Sequence, residues 1–142
     1  MSVMALIDTN VILDVLCDRV PFADDSERVL NLCETDAVDG CLSVLSVPNL
    51  VYIMRKELDP ESVEGVVRTL GATLAVIDLK ASDIEEAAGL RWRDFEDALQ
   101  FVTAKRIKAD CVVTRNVKDF ADEEMAVMAP RDFLASISDE LR

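Results

Sequence analysis

The stretch that decides the fold is SVMALIDTNVILDVL, residues 2–16. Its apolar run Val3–Ile7 predicts a buried strand, which ends abruptly at Asp8. A second apolar run follows and predicts a short helix over Val11–Cys17. Asp is a favoured N-cap residue, so Asp8 has an ordinary explanation as the cap of that helix. The alternative is that its carboxylate binds a ligand, and the rest of the chain has to decide between the two.

Apolar runs and helical patterns alternate along the remainder of the chain, with no repeat and no linker. We therefore predict a single domain over residues 1–142. Short apolar strands separated by helices are typical of a parallel sheet covered on both faces. An Asp39-Gly40 turn is expected before the second strand, and Ser46 and Asp59 are expected to cap helices. The later strands are predicted over Cys41–Leu45, Leu74–Ile77, Cys111–Thr114 and Ala126–Met128.

The chain contains no histidine, and this absence narrows the possible chemistry. It excludes a Ser-His-Asp triad, a Cys-His pair and any zinc or iron site that depends on imidazole. The four cysteines show no C-x-x-C pairing and have apolar neighbours, so we expect buried free thiols. A bound metal would need oxygen ligands, which favours Mg²⁺ or Mn²⁺.

The formal net charge of −13 opposes nucleic-acid binding at first sight, since phosphates are bound by Lys and Arg. Net charge is an average, however, and a local basic rim can border an acidic cluster. The acidity also suits a basic protein partner. No apolar run approaches the roughly 20 residues of a membrane span, and no signal-type segment is present. We expect a cytoplasmic protein without membrane association.

Several acids follow the predicted strands. Asp94 and Asp97 lie three residues apart at the start of a predicted helix, and Asn116 and Asp119 follow the fourth strand. If the first and fourth strands are neighbours, Asp8, Asp97 and Asp119 meet at the carboxyl end of the sheet, where ligands bind in such folds. Each acid also has a simpler explanation, through the helix dipole or as a solvated loop residue. Together they suit a hard cation that activates water and stabilises phosphoryl charge.

Two segments resemble the opening and closing motifs of the PIN-domain nucleases. They are LIDTNVILDVL, residues 6–16, and DFEDALQFVTAKRIKADCVVTRNVKDF, residues 94–120. The resemblance extends over essentially the whole chain. It implies a three-layer α/β/α fold with a central parallel sheet of four or five strands. It also implies metal-dependent cleavage of RNA phosphodiester bonds, and it is closest to PIN proteins that act as toxins of toxin–antitoxin pairs.

The resemblance assigns roles to individual residues. Asp8, Asp97 and Asp119 match the catalytic, metal-binding acids, and Asp94 is an extra acid in the same cluster. The cation implied is Mg²⁺ or Mn²⁺. The partners implied are an RNA substrate and a small antitoxin, and we also expect a homodimer. The supporting polar residues are Thr9, Asn10, Asn49, Thr114 and Asn116.

One position departs from the family pattern. The family usually carries a Glu in the helix after the second strand, where LSVLSVPNLVYIMRKEL (residues 42–58) places Asn49. Asn is a neutral oxygen ligand, so the site loses one charge. Glu57 lies two turns farther along the helix and is a poor substitute for the missing acid. This leaves an alternative open, in which the chain is a catalytically weakened PIN-like module for binding or regulation.

Basic residues flank the acids. Arg115 and Lys118 are candidates for contacts to the RNA backbone, as are Arg91 and Arg93, although ordinary solvated surface explains each of them equally well. A phosphotransfer domain also places Asp after its first strand. Phosphatases with an Asp nucleophile want a second acid where this chain has Asn10, and receiver domains want a pair of acids and a later Lys. Neither pattern matches.

Overall fold

The computed structural model describes residues 3–120 and 124–140 and contains one parallel sheet of five strands. Its strand order is β3-β2-β1-β4-β5, so the first and fourth strands are neighbours, which is the arrangement that brings the acids after them together. Seven α-helices flank the sheet in these described ranges. The predicted fold class, a parallel sheet between two helical layers, is confirmed. The strands are β1 (Val3–Ile7), β2 (Val38–Ser43), β3 (Ala75–Ile77), β4 (Cys111–Val113) and β5 (Ala126–Met128).

The first helix, predicted over Val11–Cys17, begins two residues earlier at Thr9 and ends at Leu16. Asp59 caps the fourth helix by accepting a hydrogen bond from the Ser62 N–H at 2.7 Å, with Pro60 in the first position. This helix contains Gly71 and ends at Thr73. The helices are α1 (Thr9–Leu16), α2 (Ala23–Glu34), α3 (Ser46–Met54), α4 (Pro60–Thr73), α5 (Ala81–Leu90), α6 (Phe95–Arg106) and α7 (Pro130–Glu140).

The predicted Asp39-Gly40 turn is wrong, because both residues lie inside β2 and pair with β1. Gly40 is needed there for close packing. A Cβ atom at Gly40 would lie 2.5 Å from the Cys33 Sγ and 2.6 Å from a Leu74 methyl carbon. Glycine thus allows α2 and the segment before β3 to approach the strand, which is a tertiary reason that a turn propensity cannot reveal.

Helices cover β1 on both faces. Ala5 and Ile7 pack in an apolar cluster with residues of α1, α2, α3, α4 and α7, whereas Leu6 packs in a second cluster with α5 and α6. All three side chains are fully buried. Burying one Leu or Ile side chain stabilises a fold by about 1.5–3 kcal/mol, so β1 is held firmly from both sides. The end of this strand, and the acid that follows it, therefore have a fixed position.

Three of the four free cysteines are buried, as expected: Cys33, Cys41 and Cys111. The prediction is wrong for Cys17, which is exposed. It is the C-cap of α1, one residue beyond the last helical position, so no further turn carries it towards the core. Within the described ranges, the helices are all too short or too polar to cross a membrane.

Candidate active site

Asp8 lies where β1 meets α1. The sequence left two roles open for it, a helix cap or a ligand-binding acid, and its position is compatible with both. Its Oδ1 accepts a hydrogen bond from the Thr9 N–H at 2.7 Å, which is an N-cap contact. Its Oδ2 accepts one from the Thr114 hydroxyl at 2.7 Å, at the end of the neighbouring strand β4. The carboxylate thus caps the helix and borders the cleft described below. Burial raises the pKa of Asp8, against the effect of these two hydrogen bonds.

Asp94 and Asp97 lie at the start of α6. Asp94 is the N-cap, and its Oδ1 accepts a hydrogen bond from the Asp97 N–H at 3.1 Å. The Asp97 side chain is only 4% exposed, and its Oδ2 has no hydrogen-bond partner among the described residues. Burial raises the pKa of Asp97 to about 7, and the charges of Asp8, Asp94, Asp119 and Glu96 add to the effect. A buried carboxylate oxygen without a partner is costly, and a cation would relieve that cost.

Glu96 is a site residue that the sequence analysis missed. Its Oε1 accepts hydrogen bonds from the Asn49 side-chain amide at 3.1 Å and from the Thr9 hydroxyl at 3.3 Å. The carboxylate of Glu96 therefore lies beside the position where the family usually carries its Glu. The acid-rich run at residues 94–97 was its only signal in the sequence, and helical spacing directs Glu96 away from Asp97.

These residues line a cleft of about 380 Å³ at the carboxyl end of the sheet. It brings together the predicted residues Asp8, Thr9, Asn10, Asn49, Asp94, Asp97 and Asn116 with the missed Glu96. Leu13, Tyr52 and Ile53 complete the lining, and we call this depression the acidic cleft.

Asp119 lies outside this lining. It is exposed in a short 3₁₀ turn at Val117–Asp119 and borders a neighbouring hollow of about 850 Å³. The hollow shares Asp94 with the acidic cleft. Asp119 is nevertheless near enough for its charge to raise the pKa of Asp97. The other residues that line this larger hollow are Leu90, Arg91, Trp92, Arg93, Phe95 and Lys118.

The ligand atoms of the cleft are of the type that a hard divalent cation prefers, but their positions are too far apart to coordinate one. The cleft offers carboxylate and amide oxygens, which Mg²⁺ and Mn²⁺ prefer. The partnerless Asp97 oxygen and the mutual repulsion of the acids both favour a positive charge there. In the described part of the chain, however, no three acidic or cysteine side chains converge closely enough to hold a metal ion as they stand. Binding would therefore require side-chain rotations that draw the carboxylates together.

Thr114 is the centre of a small polar network behind the acids. Its fully buried hydroxyl, which donates to Asp8, also accepts hydrogen bonds from the Asn116 N–H at 3.0 Å and the Asn10 amide at 3.3 Å. The Asn10 Oδ1 in turn accepts from the Arg115 N–H at 3.3 Å. These contacts join the segment after β4 to the start of α1, and they position the predicted supporting residues around the Asp8 carboxylate.

Ser46 does not cap α3 as predicted, since it is the first helical residue and makes no side-chain cap contact. Its hydroxyl lies instead in a buried network. The Ser46 and Thr9 hydroxyls are 2.7 Å apart, and the Gln100 amide donates to Ser46 at 3.2 Å. This network joins α1, α3 and α6, the three helices that supply the cleft.

Arg115 is engaged with the fold. Its Nε lies 2.7 Å from the Oδ2 of the fully buried Asp14, and its guanidinium lies 4.2 Å from the centre of the Phe22 ring. The side chain is 24% exposed, so a contact to RNA by Arg115 stays a prediction. Lys118 is exposed at the rim of the larger hollow.

Comparisons with known proteins identify the family and agree with the fold. A family model described as PIN domain matches residues 4–118. A toxin–antitoxin complex from Klebsiella pneumoniae is similar in structure, with a TM-score of 0.67, 24% identity, and coverage of 89% of this chain and 97% of that chain. FitAcB from Neisseria gonorrhoeae gives a TM-score of 0.67, 22% identity and coverage of 90% and 99%.

VapC20 from Mycobacterium tuberculosis, described as a toxin that cleaves the sarcin-ricin loop, gives a TM-score of 0.61, 14% identity and coverage of 93% and 94%. No curated protein sequence matches the chain. At these identities the similar structures show a shared fold.

The raised pKa of Asp97 predicts how stability depends on pH in the metal-free protein. Native Asp97 keeps its proton up to about pH 7, whereas the unfolded chain releases it near the ordinary pKa of 3.8. Between these values the native state binds more protons, so the free energy of unfolding should fall as pH rises. We expect a loss of about 2–4 kcal/mol over this interval, measured by urea unfolding in EDTA.

The variant Asp97→Asn should flatten this dependence and unfold at higher urea than the wild type at pH 8. Asp24→Asn, on the exposed start of α2, is the matched control and should change neither quantity. An Asp97→Asn protein that keeps the wild-type slope would contradict the assignment.

Proposed function

Because the chain belongs to the PIN domain family, we propose that it is a Mg²⁺- or Mn²⁺-dependent ribonuclease that acts as the toxin of a toxin–antitoxin pair. The observation that carries the proposal is the buried Asp97 carboxylate, which has a partnerless oxygen and four acids close enough to raise its pKa. The descriptions of similar structures, which include toxin–antitoxin complexes and an RNA-cleaving toxin, support it.

The residues that would hold the cation are Asp97 and the acids around it: Asp8, Asp94 and Glu96 in the acidic cleft, and Asp119 at its edge. A divalent cation bound there would activate water and neutralise charge on the phosphoryl oxygens. Asp8 is held by the Thr9 N–H and the Thr114 hydroxyl, which supports a role as a ligand that would need little rearrangement on binding.

The acids also make RNA binding depend on the cation. Four acidic side chains line the cleft, and a phosphodiester that enters it without a cation is repelled by those that are ionised. Asn10, Asn49 and Asn116 are neutral lining residues that can offer hydrogen bonds to a phosphate or ribose without adding repulsion. Arg91, Arg93 and Lys118 border the adjoining hollow and would hold the flanking backbone.

The alternative of a catalytically weakened module has one observation in its favour, since the described carboxylates do not yet converge on a common point. The position of Glu96 argues against it. Asn49 lacks a charge, but its amide donates to Glu96, which brings a carboxylate from α6 to the same side of the cleft. We therefore propose that Glu96 replaces the acid that the Asn49 position lacks.

We also propose a small antitoxin partner with a basic segment and a homodimeric state. The net charge of −13 and the acidic cleft favour a basic segment that lies across the acids and blocks them. We expect the product of the adjacent gene to copurify with this chain when both are expressed together. Light scattering should give the mass of a dimer at micromolar concentration. A monomer, or a chain that purifies alone under these conditions, would remove the corresponding claim.

The variant Asp8→Asn tests the function directly. Asn keeps an oxygen for the Thr9 N–H and caps helices as well as Asp does. It cannot accept from the Thr114 hydroxyl in addition, but it removes the cost of a buried charge, so the melting temperature in EDTA should change little. Wild-type protein should be stabilised by about 2.7 kcal/mol when Mn²⁺ reaches 100 times its Kd, and the variant should lose that gain. Incubation with total RNA and Mg²⁺ or Mn²⁺, followed by sequencing of new 5′ ends, should reveal cleavage by the wild type alone.

The matched control is Asp59→Asn, which alters an N-cap far from the acids along the chain and should leave metal binding and cleavage intact. A stability loss in Asp8→Asn with an unchanged response to Mn²⁺ would mean that Asp8 is only a cap.

The variant Glu96→Gln tests the proposed replacement of the missing acid. Gln keeps an oxygen that can accept from Asn49 and Thr9 but removes the charge. Calorimetric titration should show Mn²⁺ affinity lower by about tenfold or more. Glu27→Gln, on the exposed face of α2, should bind Mn²⁺ like the wild type. Equal affinity in Glu96→Gln would instead favour the weakened module.

A further inference from the structure

Basic side chains are unevenly distributed on this acidic chain, which has 15 Lys and Arg residues against 28 Asp and Glu. Many of the cations make ion pairs, for example Arg106 with Asp83 and Lys105 with Glu86. Five that have no ion pair with any described residue lie around the acidic cleft. They are Arg91, Arg93 and Lys118 at the larger hollow, and Arg55 and Lys56 at the end of α3.

Tyr52 joins this second basic group to the cleft. It lines the acidic cleft and also a shallow hollow of about 350 Å³ that it forms with Arg55 and Lys56. Its side chain is 67% exposed, one of the most exposed large apolar residues of the chain. The Lys56 Nζ lies 4.9 Å from the ring centre, within the range of a cation–π contact. We call Tyr52, Arg55 and Lys56 the α3 ledge.

The three depressions are neighbours on the surface, because adjacent ones share a lining residue. The larger hollow shares Asp94 with the acidic cleft, and the cleft shares Tyr52 with the α3 ledge. We call this row of depressions the path. Its two outer members carry cations that have no ion pair with a described residue, and the acidic cleft between them carries the acids. This order of charges suits an extended polyanion whose backbone is held on either side of a central phosphate.

We propose that the α3 ledge binds single-stranded RNA next to the acidic cleft, with a base stacked on Tyr52 and the backbone phosphates contacted by Arg55 and Lys56. The proposal rests on the proposed function, and it adds the surface beside the cleft that would hold the substrate strand. A base reaches an exposed ring only when it is unpaired, so stacking selects single strands.

A fluorescein-labelled, unstructured 12-nucleotide RNA tests the ledge by anisotropy in Ca²⁺ buffer, with a gel to confirm that the RNA stays intact. Tyr52→Ala should weaken binding of the single strand about tenfold, since base stacking depends on the ring. Tyr52→Phe keeps the ring and should bind within about twofold of the wild type. Binding of the same RNA annealed to its complement should be unchanged by Tyr52→Ala.

The slope of log affinity against log salt is negative. The double variant Arg55→Ala/Lys56→Ala should make it less steep by about 1.4, which corresponds to two phosphate contacts on a single strand. The matched control Arg28→Ala/Arg68→Ala removes two exposed charges elsewhere and should keep the wild-type slope. Melting curves show whether each variant is folded. Because Tyr52 is exposed, we expect both Tyr52 variants to be folded.

Tyr52→Ala binding of the single strand equal to the wild type, or an equal loss for single strand and duplex, would overturn the proposal. If Tyr52→Ala keeps RNA binding but no longer copurifies with the adjacent gene product, the ledge is a protein-docking surface and the proposal is wrong. Failure of the nuclease proposal has a different signature. If the wild type binds the RNA through Tyr52 but cleaves no RNA with Mg²⁺ or Mn²⁺, the binding role of the α3 ledge stands and the nuclease proposal is wrong.

Discussion

The hydrogen bond from the Thr114 hydroxyl to the Asp8 carboxylate joins the ends of two parallel strands, and the site depends on this junction. Strand β1 is buried on both faces and pairs with β4 on one side, while the Asp8 N–H donates to the Val113 carbonyl at 2.9 Å. Side chains that leave adjacent parallel strands at the same edge are forced together. A buried acid can remain there because it is hydrogen-bonded on both oxygens.

A second constraint holds the three helices that surround the junction. The buried hydroxyls of Thr9 and Ser46 and the amide of Gln100 connect α1, α3 and α6. Buried polar groups that bond one another fix the relative positions of their helices more narrowly than apolar contacts do. Through this network the acids of α6 face the acid of β1. This arrangement places like charges close together. Its effect is seen at Asp97, whose pKa is raised by burial and by the charges of the neighbouring acids.

The sequence was sufficient for the fold class and most elements, because apolar periodicity reports which faces are buried, whereas the neighbouring positions of β1 and β4 were only one possibility. It failed where long-range packing decides. Gly40 looked like a turn residue and is a contact for α2. Glu96 was missed because its partners, Thr9 and Asn49, come from distant segments. Arg115 was judged by its place beside the acids, whereas its nearest charge is Asp14, far away in the chain.

The uneven distribution of charge has a consequence for how a polyanion finds this molecule. Most of the surface of a chain with net charge −13 repels nucleic acid at long range, so chance adsorption in wrong orientations is suppressed. The cations of the larger hollow and the α3 ledge would supply local attraction at the proposed RNA-binding surface. If RNA binds there as proposed, a strand aligned with the path would meet less repulsion than a strand in another orientation. Background repulsion would then favour the correct orientation before any contact with a base is made.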